Sequence, residues 1–188
     1  MLTSEPFKGD SMAEIDRTST TVYFGAKGDE IADYSFNYKL FGSGAGTEVK
    51  TTSIFYYGDK RAEDLTASEQ LSSAMNKSES YKGTLIDIAN PDVTLRTSTT
   101  HYIGTKGDEI ADWSHNYKLF GLGAGTEVKT TSVFNYAELD NTTGLETGLA
   151  KRATALDSAE QIQSRMLTSE SFKGDSMAEI DRTSTTFY

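Results

Sequence analysis

The chain repeats itself, and any fold proposed for it has to repeat with it. Residues Arg17–Tyr57 return as Arg96–Tyr136, 79 positions later, with 33 of 41 residues identical. A second block shifts by 91: Glu69–Gly83 matches Glu160–Gly174, and Lys60–Ala62 matches Lys151–Ala153. Met1–Tyr23 returns as Met166–Tyr188 with only Pro6/Ser171 and Val22/Phe187 differing. Self-similarity of this kind marks architectures in which each unit buries its apolar face against its neighbours. The offsets fit one module with two insertions, Leu139–Leu149 in the second copy and Thr84–Leu95 in the first. The modules then run 1–59, 60–138 and 139–188. Because Met1 aligns with the internal Met166, the chain is expected to begin inside one module and end inside another.

Within a module the pattern reads as three antiparallel strands followed by a helix. The first strand, Ile15–Phe24, is rich in Thr, Val and Tyr. Ala26–Glu30 supplies a Gly-Asp turn. In the second strand, Ile31–Phe41, Ala32, Tyr34, Phe36, Tyr38 and Leu40 alternate with Asp33, Ser35, Asn37 and Lys39. The second copy repeats this alternation through Ala111, Trp113, His115, Tyr117 and Leu119. Gly42–Gly46 is a flexible loop, and Thr47–Tyr57 forms the third strand. In Lys60–Ser80, Leu65, Ala67, Leu71, Ala74 and Met75 fall at helical spacing, and Lys151–Ser169 repeats them through Leu156, Ala159, Ile162, Met166 and Leu167. The expected fold is therefore α+β and β-rich: three-stranded meanders, each with an amphipathic helix over its apolar face, stacked in a repeat array.

Apart from Ser43/Leu122 in the glycine loop, the differences between the copies fall at positions 22, 24 and 26, then 34 and 36, then 54 and 56. Steps of two within a strand place the changes on one face. The other face is constant, and it carries Arg17, Ser19, Thr21 and Tyr23, repeated as Arg96, Ser98, Thr100 and Tyr102. It reads either as a surface that meets a constant partner, such as the adjacent module, or as the unchanged side of a recent duplication whose core packing has relaxed.

Candidate chemistry is sparse. Asp29, Glu30 and Asp33, with Asp108, Glu109 and Asp112, offer hard oxygen ligands of the kind calcium takes, but without the spacing of an EF-hand or of a calcium-binding β-roll. His101 and His115 are replaced by Val22 and Phe36 in the first copy, which favours packing over catalysis. The glycine loops Gly42–Thr47 and Gly121–Thr126 precede a strand rather than a helix, so they read as hairpin connections and not as phosphate cradles. No Ser-His-Asp constellation repeats, and Gly-x-Ser-x-Gly is absent. Tyr34, Tyr38, Trp113 and Tyr117 alternate at strand spacing, which suits a core or a module interface better than sugar stacking. Asn76-Lys-Ser78 and Asn141-Thr-Thr143 match the glycosylation sequon.

The net charge of −10 opposes binding to phosphate backbones, so no nucleic-acid partner is expected. The absence of cysteine removes disulfides and thiol chemistry, and no apolar run approaches the length of a membrane span.

The rhythm of Thr20–Gly42 and Thr47–Gly58 resembles the tyrosine-rich hairpin arrays of giant bacterial surface and secreted proteins, with the YD-repeat strips of Rhs-type proteins as named relatives. The resemblance covers Arg17–Tyr57 and Arg96–Tyr136. The YD signature itself is missing, and that family has no helix between its hairpins. It implies a structural β-strip at an extracellular or cell-surface site, with no catalytic residues or cofactor. The functional expectation is a non-enzymatic structural or adhesive segment that displays one surface many times. Its partners are neighbouring modules, with head-to-tail self-association through the edge strand Arg182–Tyr188. The alternative is a binding module for carbohydrate or calcium.

Overall fold

The computed structural model describes residues 1–140 and 142–188. They form one open antiparallel sheet of twelve strands with two short helices. The strands are β1 (Leu2–Ser4), β2 (Ser19–Phe24), β3 (Ile31–Tyr38), β4 (Val49–Tyr57), β5 (Lys60–Arg61), β6 (Lys77–Lys82), β7 (Arg96–Ile103), β8 (Ile110–Tyr117), β9 (Val128–Leu139), β10 (Glu146–Arg152), β11 (Met166–Lys173) and β12 (Arg182–Phe187). The main path runs β1-β2-β3-β4-β6-β7-β8-β9-β11-β12, while β5 hangs on β4 and β10 on β9. The sheet continues without interruption past residues 59/60 and 138/139.

The long helices expected over Lys60–Ser80 and Lys151–Ser169 do not form. Helix α1 is Ala67–Ser72 and α2 is Ser158–Gln163, each started by a capping box, Thr66 with Glu69 and Asp157 with Glu160. Each stops at a serine, and a strand follows. The reason lies in Lys77–Lys82, where Ser78 and Ser80 alternate with Lys77, Glu79 and Tyr81. That period of two fits a sheet with a hydroxyl-bearing face, and it outweighs the helical spacing of the apolar residues before it. Leu71 and Ile162, expected on a buried helix face, are exposed.

The short helices and the turns before them act as arms. Ala62 and Leu65 are buried against Ile31 and Tyr57, with Phe24, Phe55 and Met75 around them. Ala153 and Leu156 repeat this against Tyr136, with Ile103, Ile110, Phe134 and Met166. The arms cover one end of the face that carries Ser53, Phe55 and Tyr57. The Tyr57 hydroxyl reaches through to donate to the Ala32 carbonyl at 2.8 Å, and Tyr136 does the same to Ala111 at 2.7 Å.

The opposite face is covered differently. Ile54 and Tyr81 are buried with Leu85, flanked by Tyr34, Tyr56, Ile88 and Leu95. Three of these residues belong to Thr84–Leu95, the connection longer than its counterpart in the second copy. Most positions that vary between copies lie on this face, since Val22 pairs with Tyr34 and Tyr34 with Ile54, whereas Phe24 and its counterpart Ile103 pack under the arms beyond a register shift. Variation there follows a difference in cover: the first copy has an apolar strap. In the second, His101 stacks on Trp113 at 3.9 Å between ring centroids, and Trp113 meets His115 at 4.6 Å.

The invariant face reads across the strands as rows of small hydroxyls. One row runs Ser4, Thr21, Ser35, Ser53, Ser80 and Ser98, each opposite the next. Another runs Ser78, Thr100, Ser114, Ser132, Ser171 and Ser184. Within them, Thr21 donates to Ser35 at 3.1 Å, and Asn37 beside the row donates to Thr51 at 3.3 Å.

Candidate functional site

Three strand pairings join one stretch of the sheet to the next: β1 with β2, β6 with β7 and β11 with β12. All three are built from the same contacts. A carboxylate on the earlier strand, or just after it at the first joint, meets an arginine that opens or just precedes the later one: Glu5–Arg17 at 3.0 Å, Glu79–Arg96 at 3.3 Å and Glu170–Arg182 at 2.7 Å. A serine and a tyrosine hydroxyl meet at 3.3 Å in Ser4–Tyr23, 3.2 Å in Ser78–Tyr102 and 3.1 Å in Ser169–Tyr188. A threonine hydroxyl donates to a carbonyl across the joint at 3.0 Å (Thr18 to Pro6), 3.0 Å (Thr97 to Ser80) and 2.9 Å (Thr183 to Ser171).

Of the residues singled out on the constant face, Arg17, Tyr23, Arg96 and Tyr102 stand at these joints. Thr21, Ser98 and Thr100 stand in the hydroxyl rows beside them, and Ser19 lies next to a row, opposite Asn37. The arginines have a second task. Arg17 donates through Nε and Nη2 to the Gly46 carbonyl at 3.1 and 3.0 Å, and its guanidinium lies 4.3 Å from the Tyr38 ring centroid. Arg96 repeats this on Gly125 at 3.0 Å and over Tyr117 at 4.2 Å. Each arginine therefore ties a joint to the glycine loop of the following hairpin, which connects strand to strand.

The middle joint is the most buried. Glu79 accepts from Tyr81 at 2.6 Å and from Tyr56 at 3.3 Å. Burial alone would push its carboxyl up, but the Tyr81 hydrogen bond and the nearby Lys77 and Arg96 outweigh that and hold it below the ordinary range. Burial, with Glu79 beside it, pushes the Tyr56 hydroxyl up to about 12.

The acidic residues considered for calcium are dispersed among separate partners. Asp33 is buried and paired with Arg61, and Asp112 pairs with Arg152 at 2.6 Å. Glu30 accepts from the Gly28 amide at 2.9 Å within its own turn. Glu109 does the same for Gly107 at 3.0 Å and also accepts from the Met75 amide at 3.0 Å. Asp108 meets the Thr105 hydroxyl at 3.5 Å, and its counterpart Asp29 stands in the first turn. Among the described residues no three His, Asp or Glu side chains converge as metal ligands. Beside Glu109, Lys106 donates to the Gln70 carbonyl at 2.7 Å, so the turn Thr105–Glu109 grips the arm of the preceding stretch at two points.

Sequence reasoning missed the ion pair under the arm. Its signal was present: Lys-Arg-Ala recurs at 60–62 and 151–153, and Asp33 and Asp112 are charges inside otherwise well-formed strands. A charge in such a place needs a partner. Of the two sequons, Asn76 precedes β6 and uses its backbone in the sheet, bonding Tyr56 at 3.0 Å and Tyr102 at 2.9 Å. Asn141 lies outside the described residues.

Two shallow grooves of about 560 and 640 Å³ occupy equivalent places, walled by Leu40 and Phe41 with Lys39 and Lys50, and by Leu119 and Phe120 with Lys118 and Lys129. Their floors carry Asn37 and Thr51, and Asn116 and Thr130. Comparison with known protein families, with curated proteins and with solved structures finds no match.

Proposed function

We propose that this chain is a non-enzymatic structural segment of a long, bacterial, extracellular tandem-repeat protein, in which modules join edge to edge and one surface is displayed many times. The observation that carries the reading is the joint built three times over, with Glu–Arg, Ser–Tyr and Thr–carbonyl contacts at equivalent positions. A joint that recurs in one geometry can be extended without limit, and extension is the work of a repeat array. The sheet also ends in β12, whose residues are all exposed. An unpaired edge of this kind accepts another strand.

Sedimentation velocity across a wide concentration range tests this. Concentration-dependent chains of monomers are the expected result, with loss of association on deleting Asp181–Tyr188. Association that survives the deletion would remove β12 from the mechanism, and a monomer at all concentrations would remove self-association altogether.

A carbohydrate-binding reading stands second, favoured by the two grooves with identical exposed Leu-Phe walls and amide and hydroxyl floors. Glycan-array binding lost on Phe41→Ala and Phe120→Ala would promote it. Array binding indifferent to both substitutions would exclude the grooves.

A further inference from the structure

Every connection on one rim of the sheet holds a large apolar side chain in solvent. In this antiparallel order the links β1–β2, β3–β4, β6–β7, β8–β9 and β11–β12 all turn back on the same rim. They carry Met12, Phe41, Ile86, Leu122 and Ile180, each at least two-thirds exposed. On the opposite rim the turns β2–β3 and β7–β8 carry Asp29 and Glu30 with their repeats Asp108 and Glu109, and no large exposed apolar residue. There the exposed Leu71 and Ile162 lie on the arms, and Leu145 and Leu149 on the β9–β10 hairpin. Exposed apolar side chains gathered along one rim mark an interaction surface.

The most regular tips are the Leu-Phe pairs of the two glycine loops. The Gly46 amide closes its loop on the Lys39 carbonyl at 2.9 Å, and the Gly125 amide closes the other on the Lys118 carbonyl at 2.8 Å. Leu40 and Phe41 are left outside, as are Leu119 and Phe120. Both tips read Lys-Leu-Phe-Gly, whereas positions 22, 34, 36 and 54 differ between copies. A lysine stands over each ring. Lys8 Nζ is 4.5 Å from the Phe41 centroid, and Lys82 Nζ is 4.9 Å from that of Phe120. Glu48 and Glu127 are held by Lys39 and Lys118 at 3.3 and 3.2 Å. Lys50 and Lys129 line the same grooves, and among the described residues neither is paired with a carboxylate.

We propose that this rim docks on a lipid bilayer, with the apolar tips in the boundary between headgroups and acyl chains and the lysines on lipid phosphates. A ring with an ammonium group beside it suits that boundary. The ring enters the apolar layer, while the lysine stem lies along it and keeps the charge in the headgroups. Charge complementarity points the same way. A chain of net charge −10 turns its unpaired Lys50 and Lys129 toward the bilayer and its acidic hairpin turns away from it. The tips follow one another about two strand spacings apart, roughly 10 Å. A folded partner would need a pocket for each in fixed register, whereas a fluid bilayer receives them in any. The Phe41 and Phe120 loops are four strand spacings apart, about 19 Å, so two weak insertions act together on one surface. The inference goes beyond the repeat-array reading and does not depend on association between chains.

Flotation of the whole chain with vesicles of phosphatidylcholine and phosphatidylglycerol in equal parts tests it. The parent chain is expected to float with the vesicles. Phe41→Ser with Phe120→Ser should weaken binding by about tenfold or more, the scale of two apolar side chains kept out of an apolar phase. That variant should melt close to the parent chain, because both rings are exposed. Lys50→Gln with Lys129→Gln should weaken binding severalfold on these vesicles and little on phosphatidylcholine alone. Leu71→Ser with Ile162→Ser removes exposed apolar side chains from the opposite rim and should leave binding unchanged.

A parent chain that does not float overturns the docking, as does a Phe41/Phe120 variant that binds as tightly as the parent. Equal losses in the Phe41/Phe120 and Leu71/Ile162 variants also overturn it, since the rim would then have no special part. Glycan-array binding by a chain that does not float returns the Leu-Phe grooves to the carbohydrate reading. Self-association lost in the Phe41/Phe120 variant of a chain that does not float makes a second copy the occupant of the rim instead.

Discussion

Asp33 and Arg61 form an ion pair almost sealed from water, with side chains 0% and 8% exposed beneath the first arm. The equivalent pair, Asp112 and Arg152, leaves the arginine 38% exposed. Removing one partner of a buried pair strands the other charge, at a cost of about 3–5 kcal/mol. Asp33→Ala is expected to lose stability on that scale. Asp112→Ala should lose less, because water solvates Arg152 when its partner is gone. Urea unfolding monitored by circular dichroism measures both, and equal losses would show that the first pair is not sealed as described. Replacing both members of the first pair, with Asp33→Leu and Arg61→Met, should recover most of the loss.

The two glycines Gly46 and Gly58 share a left-handed backbone, at φ +70° and +68°, but not their surroundings. A Cβ on Gly58 meets open space, whereas one on Gly46 would collide with the carbonyl of Glu14. Gly58→Ala is expected to show only the left-handed strain, about 1 kcal/mol. Gly46→Ala must also push the loop off the Glu14–Asp16 turn and loosen the Arg17 bonds to the Gly46 carbonyl, so its melting point should fall several times further. Similar falls for the two would mean that the loop adjusts freely.

These contrasts mark how far the sequence was legible. The repeat and the three strands per copy follow from text and period, but the first strand begins at Ser19 rather than Ile15, because Glu14–Asp16 forms a helical turn, and the second ends at Tyr38 rather than Phe41. The helical reading of Lys60–Ser80 failed because Leu65, Leu71 and Met75 fall at helical spacing by position alone. Only Leu65 is fully buried, and Ser78 and Ser80 carry the strand signal in residues that count as polar on either face. Arg17 reaches Glu5 and Gly46, Asp33 reaches Arg61 and Glu79 reaches Arg96, across 12 to 29 residues. No local pattern announces such pairings.

Leu85 is the anchor of the strap that covers the first copy. It is 5% exposed against Ile54 and Tyr81, and its amide donates to Thr52 Oγ1 at 3.4 Å. Leu85→Ala should therefore cost about 2–4 kcal/mol, the range for an emptied aliphatic site. The neighbouring Ile86 lies fully in solvent, so Ile86→Ala should leave stability unchanged. Thermal unfolding of the pair checks this, and an indifferent Leu85→Ala would mean that the strap does not hold the variable face.

His101 and His115 give the second copy a pH dependence that the first lacks. Burial pushes the His101 imidazole below its ordinary value of 6.5, and Lys77 lowers it further against the opposing pull of Glu79 and Asp112. Burial lowers His115 as well, with Arg96 adding to it and Asp175 opposing. A lowered folded value means that folding favours the neutral ring. Its stabilisation is complete above the ordinary value and is lost as pH falls through the folded one. Melting temperature should therefore decline as pH drops below about 6.5, before ordinary carboxylates titrate near pH 4. Glu79 and Glu160 enter lower still, since both are held below the ordinary range: for each, burial opposes ionisation but hydrogen bonds and neighbouring cations outweigh it. The double variant His101→Val with His115→Phe restores the residues found at Val22 and Phe36. It should melt at nearly constant temperature from pH 7 to about pH 5, while the parent chain falls. Fluorescence of Trp113, the single tryptophan and the ring on which His101 stacks, should change over the same interval in the parent chain. A decline of equal size in the double variant would place the titrating group elsewhere.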